Sequence, residues 1–182
     1  TITGSISFSS YFSLESTFNR ERLNKNKIEE LNYLMEESVS SRFLSDVPIG
    51  TLISGGLDSS IILSNIMKNE DINKINCYFS DVKNQNLSEL KDAILLLNFL
   101  NKKYKNKKIY FKSKKNNFSS YIDFLIKSTW SFDEPVHFGN TPDLLNVVNQ
   151  ASKDGIKVLL SGEGSDELFF GYNRMVRAYQ FL

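Results

Sequence analysis

The chain has 182 residues, 41% hydrophobic and 24% charged, and its 22 Lys and Arg against 21 Asp and Glu leave a net charge of +1. This balance excludes whole-chain disorder and nucleic-acid binding through bulk charge, and at this length one domain buries about 70% of its unfolded surface. A lone cysteine, Cys77, excludes an internal disulfide and a cysteine-rich metal site. No stretch approaches the roughly eighteen apolar residues of a membrane span, and residues 1–10 lack the basic start and apolar core of a signal peptide, so a cytoplasmic protein is expected. The chain opens on Thr1 and stops at Phe181-Leu182 directly after a stretch that reads as helical, so it is expected to be a piece of something longer.

Residues 1–25 read as a linker or the end of a preceding domain. From Asn26 to Leu44, Ile28, Leu31, Leu34, Met35 and Val39 recur at helical spacing with glutamates between them, which predicts an amphipathic helix against a core. Asp46-Val47-Pro48 ends it, because the residue before proline is pushed out of the helical region. Ile49 to Ile53 reads as a short buried strand that stops at Ser54-Gly55-Gly56, and a helix is expected over Ser59 to Lys68. A strand follows at Ile75 to Phe79. Ser88 can cap a helix in which Leu90, Ala93, Ile94, Leu97 and Leu100 keep the 3.6 period, and Ile109 to Phe111 is the next strand. Phe118 to Trp130 and Pro142 to Ser152 are helical in register, with Pro142 suited to a first turn, and Lys157 to Leu160 is the last strand. Strands alternating with helices of this length predict an α/β fold, a parallel sheet with right-handed crossovers and helices on both faces.

Two glycine turns carry the chemistry. In Leu52-Ile53-Ser54-Gly55-Gly56-Leu57-Asp58-Ser59-Ser60 a buried strand stops, glycines permit positive φ and close approach of a ligand, and a helix begins at once. Free backbone N–H groups and the positive end of the helix then point at one place, where phosphates bind. Ser54, Ser59 and Ser60 add hydroxyls, while Asp58 would repel a bare phosphate and makes sense as a ligand of Mg²⁺. A lone Gly-Gly more often does no more than turn the chain. The second turn, Leu160-Ser161-Gly162-Glu163-Gly164-Ser165-Asp166-Glu167, follows another strand and leads into Leu168-Phe169-Phe170-Gly171-Tyr172. By itself an acidic turn is usually just solvated, but two strand ends of one parallel sheet open at the same edge, where such sheets bind ligands. The second turn would then set Glu163, Asp166 and Glu167 opposite Asp58.

Asp46-Val47-Pro48 leading into Ser-Gly-Gly-Leu-Asp-Ser-Ser, followed by Leu-Ser-Gly-Glu-Gly-Ser-Asp-Glu and Gly-Tyr, resembles the synthetase domain of glutamine-dependent asparagine synthetases. The first motif is shared with the wider ATP pyrophosphatase group, and the second narrows the likeness. Asp133-Glu134-Pro135 also looks like the family, and the resemblance covers roughly residues 28 to 177. It implies an adenine nucleotide alpha-hydrolase-like fold, with an ATP-binding synthetase domain over 26–182 that is truncated at its C-terminus. The implied reaction is ATP-dependent amidation of a carboxylate through an acyl-adenylate, with aspartate or another small carboxylate as substrate. Ammonia would come from a glutaminase domain absent from this chain, and ATP and Mg²⁺ are the implied cofactors.

In this resemblance Ser54, Gly55, Gly56 and Ser59 cradle pyrophosphate, and Asp58 with Asp166 holds Mg²⁺. Leu52, Ser80, Ser161 and Gly162 line the adenosine site, although Ser80 stands where relatives often carry an apolar residue. Glu163 faces the acyl substrate or the incoming amine. The same two turns also serve relatives that amidate sugars or peptides or close β-lactam rings. A homodimer of the complete protein is a further expectation, and the fragment by itself is expected to be inactive. The eight lysines between Lys102 and Lys115, with no acid among them, keep open a tRNA-modifying ATP pyrophosphatase, though a solvated helix end and strand edge explains them equally. His137 reads as a polar loop residue, Trp130 as core or crevice wall, and Cys77 as a small buried hydrophobe.

Overall fold

The computed structural model describes residue 4, residues 7–11, 13, 25–82, 88–169, 171–172 and 177. Most of the expected linker at 1–25, and the helical reading just before Phe181, lie outside the described residues. The chain divides into two units, residues 1–33 and 34–182, and the second holds the sheet. The described elements are α1 (Lys25–Ser41), β1 (Ile49–Leu52), α2 (Leu57–Lys68), β2 (Lys74–Val82), α3 (Ser88–Lys103), β3 (Lys108–Asn116), α4 (Phe118–Phe132), α5 (Thr141–Lys153), β4 (Val158–Leu160) and α6 (Ser165–Phe169). Every strand and helix expected between residues 26 and 160 is present. Strands β2 and β3 run several residues beyond their apolar cores, because each pairs with the other along its whole length, from Lys74 opposite Lys108 to Val82 opposite Asn116. Ser88 is the first residue of α3, and its side chain lies outside what is described.

All strand pairs are parallel, in the order β3-β2-β1-β4. The chain therefore steps from β1 to β2 to β3 in one direction and then returns past both to place β4 on the far side of β1. Helices sit on both faces. On one, Leu63, Ile66 and Met67 of α2 and Ala93, Leu97 and Leu100 of α3 pack with Ile75, Cys77 and Phe79 of β2. Full burial of each such large side chain is worth about 1.5–3 kcal/mol. On the other, Val147 and Ala151 of α5 pack with Tyr78, Ile156, Leu52 and Leu159. Alternation along β2 sends Cys77 to the first face and Tyr78 to the second.

Two expectations change. The apolar stripe of α1 is only partly used within the second unit: Leu34 is 50% exposed, while Val39, near the helix end, enters the core. Trp130 is 84% exposed and belongs neither to the core nor to the crevice described below. It borders an open groove between α4 and α5 with Phe124 and Leu145. The lysine run lies, as the solvated reading expects, along the end of α3 and the edge strand β3, with seven of its eight lysines exposed. Lys107 is buried with its ammonium on the Asn69 carbonyl, and Lys112 pairs with Asp154 at 2.7 Å. Cys77 is fully buried as expected, its thiol pushed up to about 12 by that burial, and His137 is exposed in a loop. Among the described residues no helix is long and apolar enough to cross a membrane.

Candidate functional site

The order β3-β2-β1-β4 makes the gap between β1 and β4 the point where the chain's direction of travel across the sheet reverses, and the crevice at such a point is where open α/β sheets take ligands. Register puts Thr51 opposite Leu160, and the Thr51 hydroxyl donates to the Leu160 carbonyl at 3.2 Å. Both strands end there, so both glycine turns leave neighbouring strands at one edge.

The first turn is held by its own serines. The Ser59 hydroxyl accepts from the Ser54 N–H at 3.1 Å and lies 3.0 Å from the Ser54 hydroxyl. The Ser54 hydroxyl accepts from the Gly56 N–H at 3.2 Å, and the Ser60 hydroxyl donates to the Gly56 carbonyl at 2.6 Å. Gly55 has φ of +84°, and a Cβ there would overlap the Glu89 carbonyl oxygen of α3 and stand 3.0 Å from the Ala93 nitrogen. Backbone conformation and helix approach both require glycine. Gly56 does not use the positive φ that a glycine permits: as N-cap of α2 it has φ −73° and ψ 168°, and an added Cβ would meet only the Ser54 hydroxyl at 3.2 Å. The N-cap of a helix is extended, which any residue adopts.

The second turn packs directly on the first. A Cβ on Gly162 would stand 3.0 Å from the Asp58 Cβ and 3.1 Å from the Ser59 nitrogen. Gly164, with φ of +93°, then turns the chain into α6, whose first turn carries Asp166 and Glu167. Gly171 closes over Asp166: its N–H donates to the Asp166 carbonyl at 3.0 Å, and a Cβ there would overlap Asp166 Oδ1.

Between the turns lies a cavity of about 330 Å³. Leu52, Ser54, Asp58, Ser59 and Ser80 line it, and so do Ser161, Gly162, Glu163 and Asp166. Gly55 and Gly56 do not; they shape the turn from behind. Sequence reasoning missed the contribution of α5, which brings Asn140, Asp143, Leu144 and Val147 to the same cavity, and that of Tyr78 from β2. A general signal was available, because helices that return between parallel strands start at the edge where those strands end. The first turn of α5 was therefore bound to face this edge.

The wall is acidic. Asp58, Glu89, Asp143, Glu163, Asp166 and Glu167 line the cavity, and among the described lining residues there is no Lys, Arg or His. No cluster of three or more metal-type ligands occurs among the described residues. Asp58 and Asp166, one from each turn, are two carboxylates of the lining that could hold a hard cation such as Mg²⁺ together with phosphate oxygens and water. Asp143 is 5% exposed, and burial pushes its carboxyl above the usual range while a hydrogen bond with Asn116 works the other way.

This strand order, with helices on both faces and glycine turns at the switch point, is that of a doubly wound α/β domain with an adenine nucleotide alpha-hydrolase-like fold. The NH3-dependent NAD synthetase from Campylobacter jejuni superposes with a TM-score of 0.50 over 83% of this chain and 62% of that one, at 19% identity, a likeness of fold. The family model described as asparagine synthase matches residues 30–181, and the chain belongs to the asparagine synthase family. It is 32% identical over 174 residues to asparagine synthetase [glutamine-hydrolyzing] 1 of Bacillus subtilis, covering 93% of this chain and 25% of that protein. With asparagine synthetase B [glutamine-hydrolyzing] of Escherichia coli it shares 33% over 153 residues, 79% of this chain and 27% of the other. A putative asparagine synthetase [glutamine-hydrolyzing] 2 of Methanocaldococcus jannaschii is 29% identical over 157 residues, 86% and 28% of the two chains. The chain thus spans about a quarter of the length of these relatives.

Proposed function

We propose that this chain is the nucleotide-binding part of an ATP-dependent amidating ligase that converts a small carboxylate, aspartate in the first instance, to its amide with ammonia released from glutamine. The observation that carries the reading is the contact of the two turns at Gly162 and Asp58, which closes one cavity lined by a helix N-terminus, two serines and the carboxylates Asp58 and Asp166. The names of the relatives support the substrate pair. The reading places the functional domain over 26–182, in a cytoplasmic enzyme that is dimeric when complete.

In this scheme a carboxylate oxygen of the substrate attacks the α-phosphorus of ATP, and the bond to the bridging oxygen breaks, giving acyl-adenylate and pyrophosphate. Ammonia then attacks the acyl carbon; AMP leaves and a proton is lost from nitrogen. Ser54, Ser59 and the free N–H groups at the N-terminus of α2 hold the departing pyrophosphate, with Gly55 and Gly56 shaping the turn behind them. Leu52, Ser80, Ser161 and Gly162 line the adenosine end, and Glu163 faces the acyl carbon or the amine. With no cationic side chain among the described lining residues, a polyphosphate enters this acidic cavity with a cation, and in this reading Asp58 and Asp166 hold it. Bound there, Mg²⁺ neutralises charge on the phosphate oxygens.

The test has two parts. Calorimetric titration of this chain should show ATP binding with Mg²⁺ and a large loss of it in excess EDTA. Exchange of labelled pyrophosphate into ATP by the complete gene product, over a panel of small carboxylates, should be strongest with aspartate. No nucleotide binding in the first, or carboxylate-independent exchange in the second, overturns the proposal.

A further inference from the structure

We infer that Asp143 selects the nucleobase, accepting a hydrogen bond from an exocyclic amine at the 6-position of a bound purine. The inference rests on the nucleotide reading above. It starts from a buried polar chain on the β2–β3 side of the cavity. Asn146 donates to Asn116 Oδ1, and Asn116 Nδ2 donates to the Ser80 hydroxyl at 3.4 Å. Asp143, three residues before Asn146 and so on the same helix face, bonds Asn116 as well. Asn116 and Asn146 are both buried, at 5% and 3% exposure. Within this chain one atom is left over: Asp143 Oδ1 is buried and has no hydrogen-bond partner among the described residues.

A buried carboxylate oxygen without a donor carries the cost of lost hydration uncompensated. The position at the start of α5 eases a negative charge but supplies no cap bond; the N-cap residue is Asn140, and its side chain makes none either. Because Asp143 lines the cavity, the missing donor can arrive with the ligand. Phosphates are excluded as its partner, being anionic acceptors, and their turn lies on β1 and β4, whereas Asp143 sits with the ends of β2 and β3. The lining around it is apolar where a flat ring needs it to be, with Tyr78, Leu144 and Val147. An amino-purine presents N–H groups there. A 6-oxo purine would instead press a carbonyl oxygen against the carboxylate, so the site built around Asp143 favours adenine over hypoxanthine or guanine.

The experiment measures dissociation constants of the whole chain, with Mg²⁺, for ATP, purine riboside triphosphate, which lacks the 6-amine, and inosine triphosphate. The unaltered chain should prefer ATP over purine riboside triphosphate by about tenfold or more, the weight of one hydrogen bond to a charged acceptor, and should bind inosine triphosphate more weakly still. In Asp143→Leu and Asp143→Ala, each checked for a cooperative thermal transition, the ratio between ATP and purine riboside triphosphate should fall to near one with affinity for the latter kept. A preserved ratio in either folded variant overturns the inference, and so does an unaltered chain that binds both nucleotides equally, a comparison that needs no variant. Failure of the unaltered chain to bind any of the three would overturn the nucleotide reading instead.

Discussion

Gly162 touches Asp58: a Cβ built on the glycine would stand 3.0 Å from the Asp58 Cβ and 3.1 Å from the Ser59 nitrogen. This contact joins two turns far apart in sequence, and it involves the backbone of α2 at the place where its first N–H groups point. Gly162→Ala should therefore push the second turn off the first. Overpacking of this kind costs about 1–3 kcal/mol, and much of that should appear as an ATP affinity lowered roughly tenfold. Titration of the variant with ATP and Mg²⁺ checks this, and an unchanged affinity would show that the turns can separate without consequence.

The two glycines of the first turn should behave unequally. Gly55→Ala meets both a positive φ and the Glu89 carbonyl of α3, so it should lose about 2 kcal/mol or more in urea unfolding. Gly56→Ala, at an extended N-cap with one hydroxyl nearby, should cost under about 1 kcal/mol and leave nucleotide binding nearly intact. Equal losses at both positions would contradict the geometry.

Asp58→Asn and Asp166→Asn remove one negative charge each from the acidic wall. If these two carboxylates hold Mg²⁺, each variant should keep its unfolding midpoint and lose most of the Mg²⁺ dependence of ATP binding. A general relief of repulsion would do the opposite, raising affinity for ATP in EDTA without altering the response to Mg²⁺. Parallel titrations in Mg²⁺ and EDTA separate the two. Gly171→Ala serves as a third probe, since its Cβ would displace the Asp166 carboxylate without changing any charge.

Asp154 governs an acid limb of stability. At the end of α5 it accepts from Lys112 Nζ at 2.7 Å, the Tyr78 hydroxyl at 2.9 Å and Gln150 Nε2 at 3.3 Å, tying the helix to β2 and β3. Lys112 above all holds its carboxyl below the usual carboxylate range. The folded state therefore binds fewer protons at Asp154 than the unfolded state does, where the value is about 3.9. Its stabilisation is complete above that value and is lost as pH falls through the lower, folded one. Asp154→Asn should flatten the decline of urea midpoints below about pH 4. An acid limb identical to that of the unaltered chain would assign the decline to other groups.

By itself the sequence determined the alternation of strands and helices, because apolar periodicity and the glycine and proline breaks are local, and it determined which two turns matter, because Ser-Gly-Gly-Leu-Asp-Ser and Ser-Gly-Glu-Gly-Ser-Asp-Glu are legible as strings. Leu52, Ser54, Asp58, Ser59, Ser80, Ser161, Gly162, Glu163 and Asp166 were legible as candidates, and all of them line one cavity. Only the tertiary structure decided which glycine is irreplaceable, since the φ of Gly55 and the approach of Glu89 are set by where α3 docks. It also decided that α5 enters the site. Asp143 looks like any acidic residue in a helix first turn until α5 is laid over the ends of β2 and β3, where Asn116 and Asn146 bury it. The extent of β2 and β3 is likewise a property of their pairing rather than of either segment, because backbone groups of polar residues such as Lys114 and Asn116 join a ladder only when a partner strand is present.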